Sequence, residues 1–103
     1  MVVAVALFEL HIEYAQSLKD KRQVVRSLRE RLRRRFNVSA NEVALQDLHQ
    51  RARLALSFVS HQRDAANAML EAIEAFIESN TDAVLAGWTA EKLDFDETAT
   101  LGS

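Results

Sequence analysis

Residues 51–60 read RARLALSFVS, and their alternation decides the fold. Ala52, Leu54, Leu56 and Phe58 share one side of an extended chain, with Arg53, Ala55, Ser57 and Val59 on the other. A period of two with one apolar side is the mark of a strand resting one face on a core. Ten such residues, followed at once by a helical pattern, place this strand within an α+β domain.

Upstream, residues 41–48 read as a second strand joined to the first through QDLHQ (46–50). That linker lacks the Asn-Gly or Asp-Gly pair of a tight hairpin, so the pairing is expected from proximity and pattern alone. Before it, Ser17 and Asp20 stand at capping-box spacing, opening a run in which Leu18, Val25, Leu28, Leu32 and Phe36 recur along one helical face. Asn37 is suited to end that helix. At the start of the chain, VVAVALFELHIE (2–13) alternates from Phe8 onward, with Phe8, Leu10 and Ile12 opposite Glu9, His11 and Glu13. Val3, Val5 and Leu7 share parity with Glu9 and His11, so the first half of this strand is apolar on both faces.

Downstream, Ser60 is in place to cap a second helix running to about Ser79, with Ala65, Met69, Ile73 and Phe76 as its buried stripe and Glu71, Glu74 and Glu78 outside. AVLAGWTAEKLDF (83–95) makes a last strand, weakened by Gly87. The order is strand, helix, strand, strand, helix, strand. Two right-handed crossovers joined by a hairpin give a ferredoxin-like βαββαβ sandwich: a four-stranded antiparallel sheet with both helices on one face. We assign residues 1–96 to this single domain and 97–103 to a flexible C-terminal tail. A chain of 103 residues is long enough for one core and too short for a second.

Composition narrows the chemistry. There is no cysteine, which excludes disulfides, thiolate metal sites and thiol nucleophiles. With two glycines and no G-x-G-x-x-G or Walker pattern, nucleotide-phosphate loops have no support. The glycine-rich phosphate loop of acylphosphatases is likewise missing from HIEYAQSLKDKR (11–22). The apolar start is interrupted by Glu9, short of the ~18 residues that a membrane span requires. No cofactor, metal, small-molecule ligand or membrane is expected.

The run SLKDKRQVVRSLRERLRRRFNVS (17–39), followed by QDLHQRARLALSFVS (46–60), resembles the YlxP-like family of small bacterial proteins, a family named by a domain of unknown function. The specific part is the helix start S-L-K-[DE]-K-R, matched by Ser17, Leu18, Lys19, Asp20, Lys21 and Arg22, and the later Q-D-L-x-Q-R, matched by Gln46, Asp47, Gln50 and Arg51. The resemblance implies the same ferredoxin-like fold, a cytoplasmic bacterial setting and frequent gene neighbours concerned with translation initiation and ribosome maturation. It implies no established activity or catalytic residue.

Charge is distributed unevenly. Residues 1–63 hold 12 basic and 6 acidic side chains, whereas 64–103 hold 1 and 9. Residues 17–36 alone carry a net +7, and Arg22, Arg26, Arg29 and Arg33 form one exposed stripe. This stripe, with Lys19 and Lys21, is the candidate nucleic-acid-binding surface, for RNA or a ribosomal subunit. Pairing with the acidic second helix, net −3 over residues 61–79, is the opposing expectation for some of these arginines. A basic helix meeting an acidic protein is the alternative function, and a small enzyme at Asp47, His49 and Arg51 a third. Glu9, His11 and Glu13 rise too far apart on one strand to close on a metal. An RNA platform on the sheet is disfavoured, because Phe8 and Phe58 share the register of the helix-facing core. Val3, Val5 and Leu7 point away from the helices and are assigned to a homodimer interface of about 1,200–2,000 Å².

Overall fold

In the computed structural model, which describes residues 1–80 and 82–102, the strand pattern of residues 51–60 becomes β3 and its neighbour in space is the first strand of the chain. The elements are β1 (Val2–His11), α1 (Leu18–Phe36), β2 (Ser39–Ala44), β3 (Arg51–Ser60), α2 (Arg63–Asn80) and β4 (Val84–Asp94). The sheet order is β2-β3-β1-β4, antiparallel throughout, with both helices on one face. This is the ferredoxin-like sandwich.

Register aligns the apolar sides of the strands. Phe8 on β1 lies opposite Leu54 on β3 and Trp88 on β4, and Ala6 lies opposite Leu56 and Ala90. The even-numbered residues of β1 and β3 therefore meet Val25, Leu28 and Leu32 of α1 and Ala66, Leu70, Ile73 and Ile77 of α2 in one core. Trp88, tilted against Phe8 with ring centroids 5.8 Å apart, extends that core onto β4.

Local chemistry sets both ends of α1. Ser17 Oγ accepts from the Asp20 amide (3.1 Å), and the Asp20 carboxylate accepts from the Gln16 amide (3.0 Å). Asn37 adopts a left-handed conformation (φ 54°) and donates its amide to the Arg33 carbonyl at 3.1 Å. The short polar side chain of asparagine tolerates that conformation.

Three expectations are corrected. Ser60 does not cap α2: it remains in β3 opposite Val2, and its hydroxyl donates to the Gln62 carbonyl (3.2 Å) while the helix begins at Arg63. The deepest row of α2 is Ala66, Leu70, Ile73 and Ile77, with Ala65, Met69 and Phe76 only partly buried. Two adjacent apolar rows share Ile73, and the sheet, not the helix, selects between them. The strand expected at 41–48 lies at 39–44, because Leu45 turns into the left-handed region (φ 64°) and ends the pairing.

Candidate nucleic-acid interface

The outer flank of α1 follows from its position over β2. Arg29 Nε and Arg33 Nη2 both donate to the Ala40 carbonyl, at 3.1 and 3.2 Å, on an edge strand of the sheet. Arg29 also reaches the Asn41 side chain at 3.5 Å. The stripe thus leans over the β2 edge and blunts it against strand addition. Arg22 and Arg26, two and one turns earlier, are exposed.

None of Arg22, Arg26, Arg29, Arg33, Arg34 and Arg35 forms an ion pair with a carboxylate among the described residues. The expected pairing with acids of α2 is not found for these six. What faces α2 is aromatic instead: Phe36 meets Phe76 edge-on at 5.5 Å, and the Arg35 guanidinium lies 5.3 Å from the Phe76 ring and 5.7 Å from Phe36. Glu71 and Glu78 are exposed on α2, across the helix pair from the β2 edge.

Lys21 leaves the expected surface altogether. Its side chain is 1% exposed, and Nζ lies 2.8 Å from Glu42 Oε2, 2.8 Å from the Leu45 carbonyl, 3.2 Å from that of Arg51 and 3.3 Å from that of Gln46. At 100° per residue Lys21 shares the direction of Val25, Leu28 and Leu32, so the helix turns it inward. Lys19 remains exposed on the first turn.

Around Lys21 the two motifs that carry the family resemblance meet. Gln50 donates through Nε2 to the carbonyls of Glu13 (3.1 Å) and Ala15 (3.3 Å), tying the β2–β3 connection to the β1–α1 connection. Gln50 also accepts through its carbonyl from the Ile12 amide at 2.9 Å. Ser17, Asp20, Lys21 and Gln50 therefore build a structural knot. Glu42, the carboxylate inside it, carried no signal of its own in the sequence; only the crossing of α1 over β2 brings it to Lys21.

Asp47 and His49 are exposed on the β2–β3 connection, and Arg51 turns to the open face of the sheet, so the hairpin triad expected of an enzyme does not converge. Arg51 joins Glu9, His11 and Arg53 instead. The cross-strand pairs Glu9–Arg53 and His11–Arg51 place these groups side by side. Glu9 Oε1 accepts from Arg53 (2.9 Å), while Oε2 accepts from Arg51 Nε (3.0 Å) and lies 2.9 Å from His11 Nε2. These hydrogen bonds, Arg53's the largest, hold the Glu9 carboxyl at about 2 against an ordinary 4.5. Glu13 lies beyond the end of β1 and takes no part through its carboxylate. Among the described residues no set of three His, Asp or Glu side chains is arranged to hold a metal ion.

Val3, Val5 and Leu7 point to the same open face, away from the helices, with Val5 46% exposed. No described helix is long and apolar enough to cross a membrane.

Residues 3–89 match the model of a family described as protein of unknown function, DUF503. The uncharacterized protein YlxP of Bacillus subtilis (strain 168) is 36% identical over 78 residues, covering 76% of this chain and 85% of that protein. Among solved structures, a de novo designed protein with ferredoxin fold, LFR1 1, aligns over 100% of this chain and 92% of its own at 13% identity, with a TM-score of 0.43. The sequence match thus spans the α1 start, the β2–β3 connection and the buried knot that joins them, and this chain belongs to the YlxP-like DUF503 family.

Proposed function

We propose that this chain is a non-enzymatic, cytoplasmic binding module that engages RNA, free or on a ribosomal subunit, through the outer flank of α1. Lys19, Arg22, Arg26, Arg29 and Arg33 are the contact residues. The observation that carries this reading is that the four arginines of the stripe have no carboxylate partner among the described residues, although the chain as a whole is acidic. Successive members of the stripe are about 5–6 Å apart along the helix, so one strand laid along it meets a cation at each step. Arg29 and Arg33 are pre-ordered by Ala40, and their remaining guanidinium nitrogens supply further donors. Acids of α2 within a Debye length, about 8 Å at physiological salt, offset such a stripe, whereas those across the helix pair are screened from it.

The test is a salt titration of binding to a single-stranded RNA oligonucleotide and to purified ribosomal subunits. Four phosphate contacts give a slope of log K against log salt near about −3, using about 0.7 ion per single-strand phosphate. The double variant Arg22→Glu, Arg26→Glu is expected to lower affinity at least about tenfold and to flatten that slope. These two positions are chosen because neither holds the fold, whereas Arg29 and Arg33 brace Ala40. Absence of binding at low salt, or affinity indifferent to the double variant, overturns the reading. A partner from cell extract that survives nuclease and depends on Arg22 and Arg26 assigns the surface to an acidic protein instead.

A further inference from the structure

The face of the sheet turned away from the helices is apolar where a lone domain has no use for it. Val3 on β1 is flanked at its own level by Val59 on β3 and Leu93 on β4, and Val5 follows on the same face. Val59 is 65% and Leu93 63% exposed. A contiguous row of this kind across three strands marks an interface.

We propose that this open face is a self-association surface, on which a second copy of the chain docks about a two-fold axis running along β1. The choice of a second copy rests on self-complementarity, which an isologous contact requires. A two-fold along β1 exchanges the positions of β3 and β4. Val59 then covers Leu93 of the second copy, and Val3, Val5 and Leu7 meet their own equivalents on the axis. Further along, Arg53 lies over Gly87 of the second copy. Gly87 sits opposite Glu9 in the register, no atom lies within 4 Å of where its Cβ would be, and with Thr89 and the same chain's Glu9, Arg51 and Arg53 it lines a shallow, open depression of about 690 Å³. The side chain of Arg53 has a space to enter because β4 carries a glycine there.

The charges of the face keep the contact weak. Glu9 lies on the axis with Arg51 and Arg53 of its own chain beside it, so the two clusters that meet each carry a net +1, exposed to salt at the rim. Glu91 on β4 shares its level with Ser57 on β3, so the exchange brings it to a hydroxyl and not to a second carboxylate. Both α1 helices lie on the outer sides of such a dimer, away from each other. Pairing of sheet edges through β2, one of the two edge strands, is obstructed by Arg29 and Arg33. About an axis along β1 only β3, β1 and β4 face their counterparts, since β2 overhangs the edge, and three strands of about ten residues cover about 33 by 14 Å, roughly 475 Å² per copy and about 950 Å² in total, the size of a weak, transient interface. A dimer that dissociates on dilution is the expected outcome.

The proposal is independent of RNA binding, and its test reads mass. Sedimentation velocity or light scattering from micromolar to near-millimolar protein is expected to move from one chain to two. Val5→Asp and Leu93→Asp each place a charge in the interface of both copies and are expected to weaken association by about a hundredfold. Since both side chains are exposed in the single domain, neither substitution disturbs the core, which circular dichroism checks. The chain has no cysteine, so Val5→Cys supplies a unique thiol near the axis that a short bis-maleimide joins to its equivalent, whereas Gln23→Cys on α1 stays unjoined. A single-chain mass at every concentration overturns the proposal, as does a dimer indifferent to both aspartates or joined through position 23. A monomer whose RNA affinity falls with Val5→Asp gives the face to RNA and overturns it equally.

Discussion

Lys21 and Arg22 are adjacent, both basic and both in the first turns of α1, yet they belong to different regions of the molecule. Lys21 is enclosed by one carboxylate and three carbonyls and ties α1 to the β2–β3 hairpin; Arg22 is exposed on the outer flank with Arg26. The difference arises from helical periodicity, which rotates neighbours by ~100° and so sends one side chain into the core and the next toward solvent. Charge by itself says nothing of role: the same kind of residue is structural on one flank and solvent-exposed on the other.

The contrast is broken most severely at Lys21. Lys21→Met leaves the half-buried Glu42 without its counter-ion, and since its side chain is 17% exposed the loss is expected to fall below the ~3–5 kcal/mol of a fully buried pair. Urea denaturation of this variant is expected to show that loss, and adding Glu42→Leu is expected to restore part of it. An unchanged midpoint in Lys21→Met would falsify the knot.

A smaller effect separates the open-face ion cluster from both flanks of α1. Folding holds the Glu9 carboxyl at about 2, below its ordinary 4.5, so its contribution to stability is complete above the ordinary value and is lost as pH falls from there toward 2. The difference in stability between the wild-type protein and Glu9→Gln is expected to narrow over that acid window. A difference independent of pH would contradict the assignment of Glu9 as the ionised centre of Arg51, Arg53 and His11.

The smallest effect is expected at the outer flank. Arg22→Ala and Arg26→Ala should each change stability by less than about 0.5 kcal/mol, as surface substitutions remote from structural contacts do. Thermal unfolding checks this, and a larger loss in either variant would show that the stripe supports the fold and is not free for a partner.

Much of the fold was legible because period-two and helical patterns report one-sided burial directly. Phe8, Leu10, Ala52, Leu54 and Leu56, together with Val25, Leu28 and Leu32, are buried as their spacing implies. Errors occurred where two patterns compete. Ser60 suits both a strand end and a helix cap, and α2 has two apolar rows about 100° apart, so tertiary contacts decide each case. The basic stripe was legible as a stripe, but its mixed roles were not. Nothing local in SLKDKR says that Lys19 is wet and Lys21 dry, because Glu42 and the carbonyls of Leu45, Gln46 and Arg51 reach Lys21 only after β2 and β3 have paired.

By itself, the sequence determined the element order, the identity of the core-facing residues in β1, β3 and α1, and the concentration of positive charge on one helix, since all three depend on interactions within a few residues of the chain. The tertiary structure alone decided that Arg29 and Arg33 brace the β2 edge, that Lys21 is a buried tie, that Glu9 gathers Arg51, Arg53 and His11, and that Val59 and Leu93 flank Val3. Each of these joins segments distant in the chain, and sheet register, a global property of folding, sets which distant residues stand side by side.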